Sequence, residues 1–260
     1  MTILSFTGII DMYNPKAHVE LFHLMFLRLF GDNTNAALYG VKGGCNLRFF
    51  FGSHRYSEDL DIDVTTISPE TLKKKVSKLL DSVMLTKLLQ SHDILDLSMT
   101  TPKQTPTTQR WKIQLHTKHS NLPLHTKIEF SRRNSNMTPE LANIDRHLCQ
   151  RYKISPMRLS HYTLKDALAQ KIQALAHRTQ VQSRDAFDIF HLLHREEPRL
   201  TLDHDTLHRA QEALLSIDFS DYKSQVVSFL EPDQQSMHGD PCYWSSVSNT
   251  VLEYLEGLTQ

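Results

Sequence analysis

The 260-residue sequence predicts an α+β fold: a mixed sheet with helices over 1–155, followed by a helical domain over 156–260. Three observations carry this. "DLDIDV" (59–64) alternates acidic and apolar residues, the period of a strand. Three later runs, "ILDLSMT" (94–100), "RWKIQLHT" (110–117) and "PLHTKIEFS" (123–131), have strand composition and turn-like flanks. From about residue 160 the pattern turns helical, over 163–179, 184–194, 203–217, 220–230 and 245–258.

The remaining elements follow from local signals. Asn14-Pro15 is a cap and first-turn pair, and "KAHVELFHLMFLRLFG" behind it has helical periodicity ending at Gly31. "AALYGV" (36–41) reads as a short strand running into Gly43 and Gly44, after which "CNLRFFF" opens a short helix. Ser68-Pro69-Glu70 starts another helix, expected to run to about residue 90. "TTPKQTPTTQ" (100–109) reads as a loop between strands, and "KHSNL" as a hairpin loop.

Lysine plus arginine (29) equals aspartate plus glutamate (29), so net charge argues for no polyanionic partner, and any basic footprint is local. Cys45, Cys149 and Cys242 lie far apart and form no CxxC pair, which fits a reducing compartment. "MTILSFTGIIDMYNP" lacks a basic leader, and its apolar stretch is too short to span a bilayer. A cytoplasmic, monomeric chain with no membrane association is the expectation.

The chemistry centres on "VKGGCNLRFFFGSHRYSEDLDID" (41–63). On a strand, Asp59, Asp61 and Asp63 share one face, opposite Leu60, Ile62 and Val64. An acidic face in plain solvent is the bland reading. However, "KIEF" (127–130) repeats the pattern, and beside 59–64 it would bring Glu129 next to Asp59 and Asp61. Three carboxylates from neighbouring strands suit a hard cation such as Mg²⁺ or Mn²⁺, with substrate phosphates as further ligands. Gly43 and Gly44, at a strand-to-helix junction, let backbone N–H groups approach phosphate oxygens. Together these describe phosphoryl or nucleotidyl chemistry.

At this point the residues resemble a family. "KGGCNLRFFFGSHRYSEDLDID" is similar to the signature of AbiEii/AbiGii-type nucleotidyltransferases, within the DNA polymerase β-like superfamily. The resemblance implies a nucleotidyltransferase-like sheet domain, NTP as co-substrate and a toxin of a toxin–antitoxin or phage-defence system. It also implies a tRNA 3′ end as acceptor and a cognate antitoxin. Cys45 departs from relatives that place a hydroxyl residue there.

"KDALAQKIQALAHRTQVQSRDAFDIFHLL" (165–193) resembles the family's lysine helix and following Arg-Asp-x-x-Asp helix. Leu164, Leu168, Lys171 and Leu175 fall on one helical stripe, with Arg178 near it. A lysine in an apolar stripe needs an anion, either a nucleotide phosphate or a structural partner in Asp185 or Asp188. The phosphate role is preferred.

The expected site therefore has Asp59, Asp61 and Glu129 as metal ligands and catalytic groups, with Lys171 as the catalytic cation. Lys42, Gly43, Gly44, Ser57, Lys171, Arg178 and Asp185 form the nucleotide-binding set, and Arg184 and Asp188 support it. Ser57, two residues before Asp59, is also a position where added phosphate would oppose metal binding. Arg55, Tyr56, Arg132 and Arg133 are candidates for a nucleic-acid groove, with core aromatics and solvated charges as the alternative. His116, His119 and His125 read as surface histidines rather than a metal site. A small-molecule or protein hydroxyl is a rival acceptor, and a non-catalytic nucleotide-binding protein is the rival to an enzyme. The absence of a Gly-x-x-x-x-Gly-Lys-Ser/Thr loop argues against a kinase-like P-loop.

Overall fold

A computed structural model of the chain describes residues 14–132, 139–195 and 197–259. The N-terminal stretch before Asn14, and Arg133, lie outside these residues. The described strands are β1 (Tyr39–Lys42), β2 (Asp59–Val64), β3 (Ile94–Gln104), β4 (Thr108–Thr117), β5 (Ser120–Ser131), β6 (Glu140–Asn143) and β7 (Arg158–His161). They form one mixed seven-stranded sheet in the order β3-β4-β5-β2-β1-β7-β6. The pairs β2–β5 and β1–β7 are parallel, and β3–β4 and β4–β5 antiparallel.

The helices described are α1 (Pro15–Asp32), α2 (Gly43–Phe50), α3 (Pro69–Leu80), α4 (Val83–Gln90), α5 (Arg146–Arg151) and α6 (Leu164–His177). They continue with α7 (Ser183–Leu193), α8 (His204–Leu215), α9 (Phe219–Gln225), α10 (Pro232–His238) and α11 (Pro241–Gly257). Among the described residues, no helix is long and apolar enough to cross a membrane.

The chain divides into two compact units. The first contains the described residues of 1–40, 58–135 and 141–160, and the second those of 41–57, 136–140 and 161–260. The expected division, 1–155 and 156–260, has no counterpart to the placement of 41–57 with the helical residues. Leu47 explains that placement, because this α2 residue is buried in the helical core.

In the first unit one sheet face is apolar. Leu60, Ile62, Trp111, Ile113, Leu115, Ile128 and Phe130 are all fully buried on it. α1 contacts β5, α3 and α4, and its Phe30 ring lies 5.3 Å from that of Phe130. Burying one such side chain is worth about 2–3 kcal/mol. The start of α1 is fixed as its sequence predicts: Asn14 Oδ1 accepts from the Lys16 N–H at 3.0 Å, with Pro15 in the first turn. Glu20, buried within α1, accepts from Tyr152 Oη at 2.6 Å.

The second unit has its own core. Leu168, Ile172 and Leu175 of α6, Ile189 and Leu192 of α7, Leu207 and Leu214 of α8 and Val247 and Val251 of α11 build it. Residues beyond 195, legible in sequence only as helical, thus complete the packing of the lysine helix.

Several elements differ from expectation for local reasons. Ala36–Leu38 is a 3₁₀ turn, because Asn35 Oδ1 accepts from the Ala37 N–H; the strand begins at Tyr39. The helix expected to reach residue 90 breaks at Asp81-Ser82, where Ser82 Oγ caps α4 by accepting from the Leu85 N–H. "KHSNL" is no five-residue loop: Thr117 pairs with Ser120, so only Lys118 and His119 turn. The stretch 100–109 is mostly strand, with a register shift between Thr100 and Lys103 that accommodates Pro102. β6, α5, β7 and α10 are short elements without a clear period.

Candidate functional site

The acidic face is built in the first unit. β2 and β5 run parallel with Asp59 opposite Lys127, Asp61 opposite Glu129 and Asp63 opposite Ser131. The partnership expected between 59–64 and 127–130 is therefore present. Asp63 is buried and accepts from Ser131 Oγ at 2.6 Å. Asp59, Asp61 and Glu129 are half-buried.

Two cations face these acids. Lys127 Nζ lies 2.6 Å from Asp59 Oδ2. Arg110 of β4, opposite Glu129, donates from Nε to Glu129 Oε2 at 2.7 Å. Among the described residues, no three Asp, Glu, His or Cys side chains are grouped closely enough to hold a metal ion. The register brings Asp61 and Glu129 side by side, while Arg110 holds Glu129 from the side away from β2. As a donor set, three carboxylates on one face of adjacent strands fit Mg²⁺ or Mn²⁺.

The glycine turn lies in the second unit. Gly43 has φ 67°, a left-handed conformation that glycine adopts without a Cβ penalty. Lys42 precedes α2 without a side-chain capping bond. A Cβ on Gly44 would stand 2.6 Å from Ser57 Oγ, 3.1 Å from Ser57 Cβ and 3.3 Å from Arg55 Nη2. Gly44 is thus required by close packing against two residues just before the acidic strand. Cys45, which follows the glycines, is completely buried.

α2 is anchored beneath this turn. Asn46 Nδ2 donates to the Tyr162 carbonyl at 3.1 Å, which leaves Asn46 Oδ1 to accept from His161 Nδ1 at 2.9 Å. Phe50 stacks on the His161 ring at 3.7 Å. Burial lowers the His161 pKa to about 4 and keeps the ring neutral.

α6 and α7 carry an alternating chain of buried charges. Arg55 donates to both oxygens of Asp188, from Nη2 at 2.8 Å to Oδ2 and from Nε at 3.1 Å to Oδ1. Lys171 Nζ lies 2.7 Å from Asp188 Oδ2 and 3.2 Å from Asp185 Oδ1. Arg178 Nε donates to Asp185 Oδ2 at 2.6 Å. Both carboxylates are fully buried, whereas the Arg178 side chain is 40% exposed. Burial alone would raise the Asp188 pKa, but Arg55 and Lys171 outweigh it and hold the group at about 2. Arg178 is the solvent-facing end of this chain of charges.

Several residues singled out in the sequence find their partners here. Lys171 is held by both carboxylates weighed as its structural partners. Asp188 is the centre of the network, holding Arg55 as well as Lys171. Arg184 is half-buried at the start of α7. Arg55 and Tyr56 are buried, and Tyr56 lies under the Arg48 guanidinium at 4.8 Å, so neither presents a free surface for bases. Arg132 braces loops instead, donating to the Ile67 carbonyl and to Gln109 Oε1. His119 lies 3.5 Å from Asp93, and His116 4.0 Å from Asp96.

Sequence reasoning missed Arg48 and Glu231. Arg48 donates to the Ser53 carbonyl at 2.7 Å and to Glu231 Oε1 at 2.8 Å, and Glu231 Oε2 meets His54 Nδ1 at 2.8 Å. The available signal was an arginine inside the apolar run "CNLRFF", the same anomaly that marked Lys171. Nothing in the sequence pointed to Glu231 as its partner.

Comparison with protein families matches residues 29–233 to the nucleotidyl transferase AbiEii toxin family, of type IV toxin–antitoxin systems. The chain belongs to this family. It is a nucleotidyltransferase, and the match spans the glycine turn, the acidic strand, the lysine helix and Glu231. Comparison with curated proteins finds no match. Among solved structures, the chain is similar to JHP933 from Helicobacter pylori, at 17% identity and TM-score 0.53, covering 97% of each chain. It is also similar to MenT4, the nucleotidyltransferase toxin Rv2826c from Mycobacterium tuberculosis H37Rv, at 16% identity and TM-score 0.59. That match covers 95% of this chain and 85% of the other. At these identities the likeness is one of fold.

Within this AbiEii family member, the packing at Gly44 gives a direct prediction. Gly44→Ala is expected to destabilise by about 1–3 kcal/mol, the usual cost of overpacking a tight contact. Arg55 cannot retreat freely while Asp188 holds it. Adding Ser57→Gly is expected to recover most of the loss, as read from denaturant melts of the single and double variants.

Proposed function

We propose that this AbiEii-family toxin transfers a nucleoside monophosphate from an NTP to an acceptor hydroxyl, with a tRNA 3′ end as the acceptor and Mg²⁺ or Mn²⁺ as cofactor. The observation that carries the reading is the parallel register of β2 and β5, with Asp61 directly beside Glu129. In the first unit Asp59, Asp61 and Glu129 are the metal ligands, and Glu129 also draws the proton from the attacking hydroxyl. When bound, the metal supplies charge neutralisation to the phosphates and the leaving pyrophosphate.

In the second unit the Gly43 and Gly44 N–H groups, with Lys42 and Ser57, take the triphosphate oxygens. Lys171 and Arg178 supply positive charge to it, Asp185 holds both cations, and Asp188 and Arg184 support them. The tRNA assignment rests on family membership, since Arg55 and Tyr56 are buried. Growth arrest through blocked tRNA, opposed by an antitoxin, is the cellular outcome in this reading, with a cytoplasmic monomer as the acting species.

The test incubates the protein with Mg²⁺, each α-³²P-labelled NTP in turn and separate pools of tRNA, protein and small-molecule acceptors. Label entering tRNA, with pyrophosphate released, is the expected result. Label entering another pool moves the acceptor assignment. Nucleotide binding without pyrophosphate release overturns the catalytic reading.

A further inference from the structure

We infer that Lys127 and Arg110 are resident counter-ions of the acidic face, which hold its carboxylates apart until a divalent cation takes their place. The inference rests on the proposed metal role of Asp59, Asp61 and Glu129. It concerns two residues to which neither the sequence reading nor the family match gives a part.

The cross-strand register supplies the basis. On the polar face of the first unit's sheet, one row reads Asp61, Glu129, Arg110 across β2, β5 and β4. The next row reads Asp59, Lys127, Lys112. The first row thus sets two acids side by side and the second two bases, and like charges directly opposite each other are unfavourable. Each row relieves its strain with the third member. Lys127 turns to Asp59, at 2.6 Å, and Glu129 turns to Arg110, with Nη2 at 2.5 Å.

Both contacts oppose convergence of the three carboxylates. Lys127 places an ammonium beside Asp59, within reach of the position a cation would need. Arg110 draws Glu129 toward β4 and away from β2. This accounts for the absence of a three-donor group among the described residues despite a register that aligns the acids. Lys127 and Arg110 therefore yield their carboxylates as the cation arrives.

Both members of the Lys127–Asp59 pair are partly exposed, at 34% and 27%, so the competition is moderate. The experiment titrates Mn²⁺ into the full chain without nucleotide, following the free ion by electron paramagnetic resonance. Thermal melts confirm that each variant is folded. Lys127→Met is expected to bind Mn²⁺ about two- to fivefold more tightly than the native chain, the scale of one partly exposed ion pair. Lys127→Gln is expected to match it, while Lys127→Arg stays near native because it keeps the charge.

Unchanged or weaker Mn²⁺ binding in both Lys127→Met and Lys127→Gln overturns the inference. Asp59→Asn with Asp61→Asn serves as the reference. If that double variant binds Mn²⁺ as the native chain does, the metal-site reading itself fails and the counter-ion role falls with it. If it loses Mn²⁺ while the Lys127 variants show no gain, only the counter-ion role is lost.

Discussion

Asp61→Asn will reduce nucleotidyl transfer by about a thousandfold or more, with the unfolding free energy changed by less than about 1 kcal/mol. A thousandfold corresponds to about 4 kcal/mol of transition-state stabilisation, within what loss of the metal ligand proposed above would remove. The small stability effect follows from the register. Asp61 is half-buried directly opposite Glu129, so removing its charge relieves a like-charge pair. Asp63→Asn provides the contrast on the same strand face. Asp63 is buried and accepts from Ser131 Oγ, so its loss should appear in stability, by about 1–3 kcal/mol, more than in transfer. Labelled-NTP transfer and urea unfolding of the two variants separate these roles. Equal loss of transfer in both would mean that the whole acidic face acts only through folding.

Asp188→Ala will lower the unfolding free energy by about 3–5 kcal/mol, because Arg55 and Lys171 remain buried without the carboxylate they share. Against a usual total of about 5–15 kcal/mol, that is enough to leave part of the chain unfolded at growth temperature. Asp188→Asn should cost less, near the value set by protonating the native acid. The pH dependence gives that value.

Burial pushes the Asp188 pKa up, Arg55 and Lys171 pull it down further, and it settles at about 2 against an ordinary 3.8. A depressed folded-state pKa means the carboxylate's contribution is complete above pH 4 and is lost as pH falls toward 2. The shift corresponds to about 2 kcal/mol. Urea melts between pH 5 and pH 2 should show the native chain losing this amount and Asp188→Asn losing less. Replacing Arg55 by methionine together with Asp188 by leucine should restore much of the stability, since removing both partners leaves one fewer buried charge stranded.

Legibility in the sequence depended on whether a signal was local. The alternation of 59–64 declared both the strand and its acidic face, and the same period in "KIEF" made the β2–β5 partnership a natural expectation. Lys171 was conspicuous because a charge interrupts an apolar helical stripe. The four-residue strands β6 and β7 are too short for a period to emerge. The break at Asp81-Ser82 was hidden inside a run of good helix formers, although a serine cap was present. Arg48 could have been noticed by the logic applied to Lys171. Its partner Glu231 lies 183 residues away, and no one-dimensional pattern links them. The counter-ion pairs escaped because Lys127 and Arg110 acquire meaning only once three strands are aligned.

The sequence separation of the buried ion pairs also sets a timetable for synthesis. Arg55 leaves the ribosome 133 residues before Asp188, and Arg48 leaves 183 residues before Glu231. At about 5–20 residues per second, each arginine waits on the order of ten seconds for its carboxylate. During that interval the segment bearing the glycine turn lacks Val247 and Val251 of α11, part of the helical core that it finally joins. A nascent chain of this toxin therefore cannot assemble the turn in its finished form until translation has passed α7. A message cut or a ribosome stalled before α7 yields a fragment that has neither Asp188 for Arg55 nor Glu231 for Arg48.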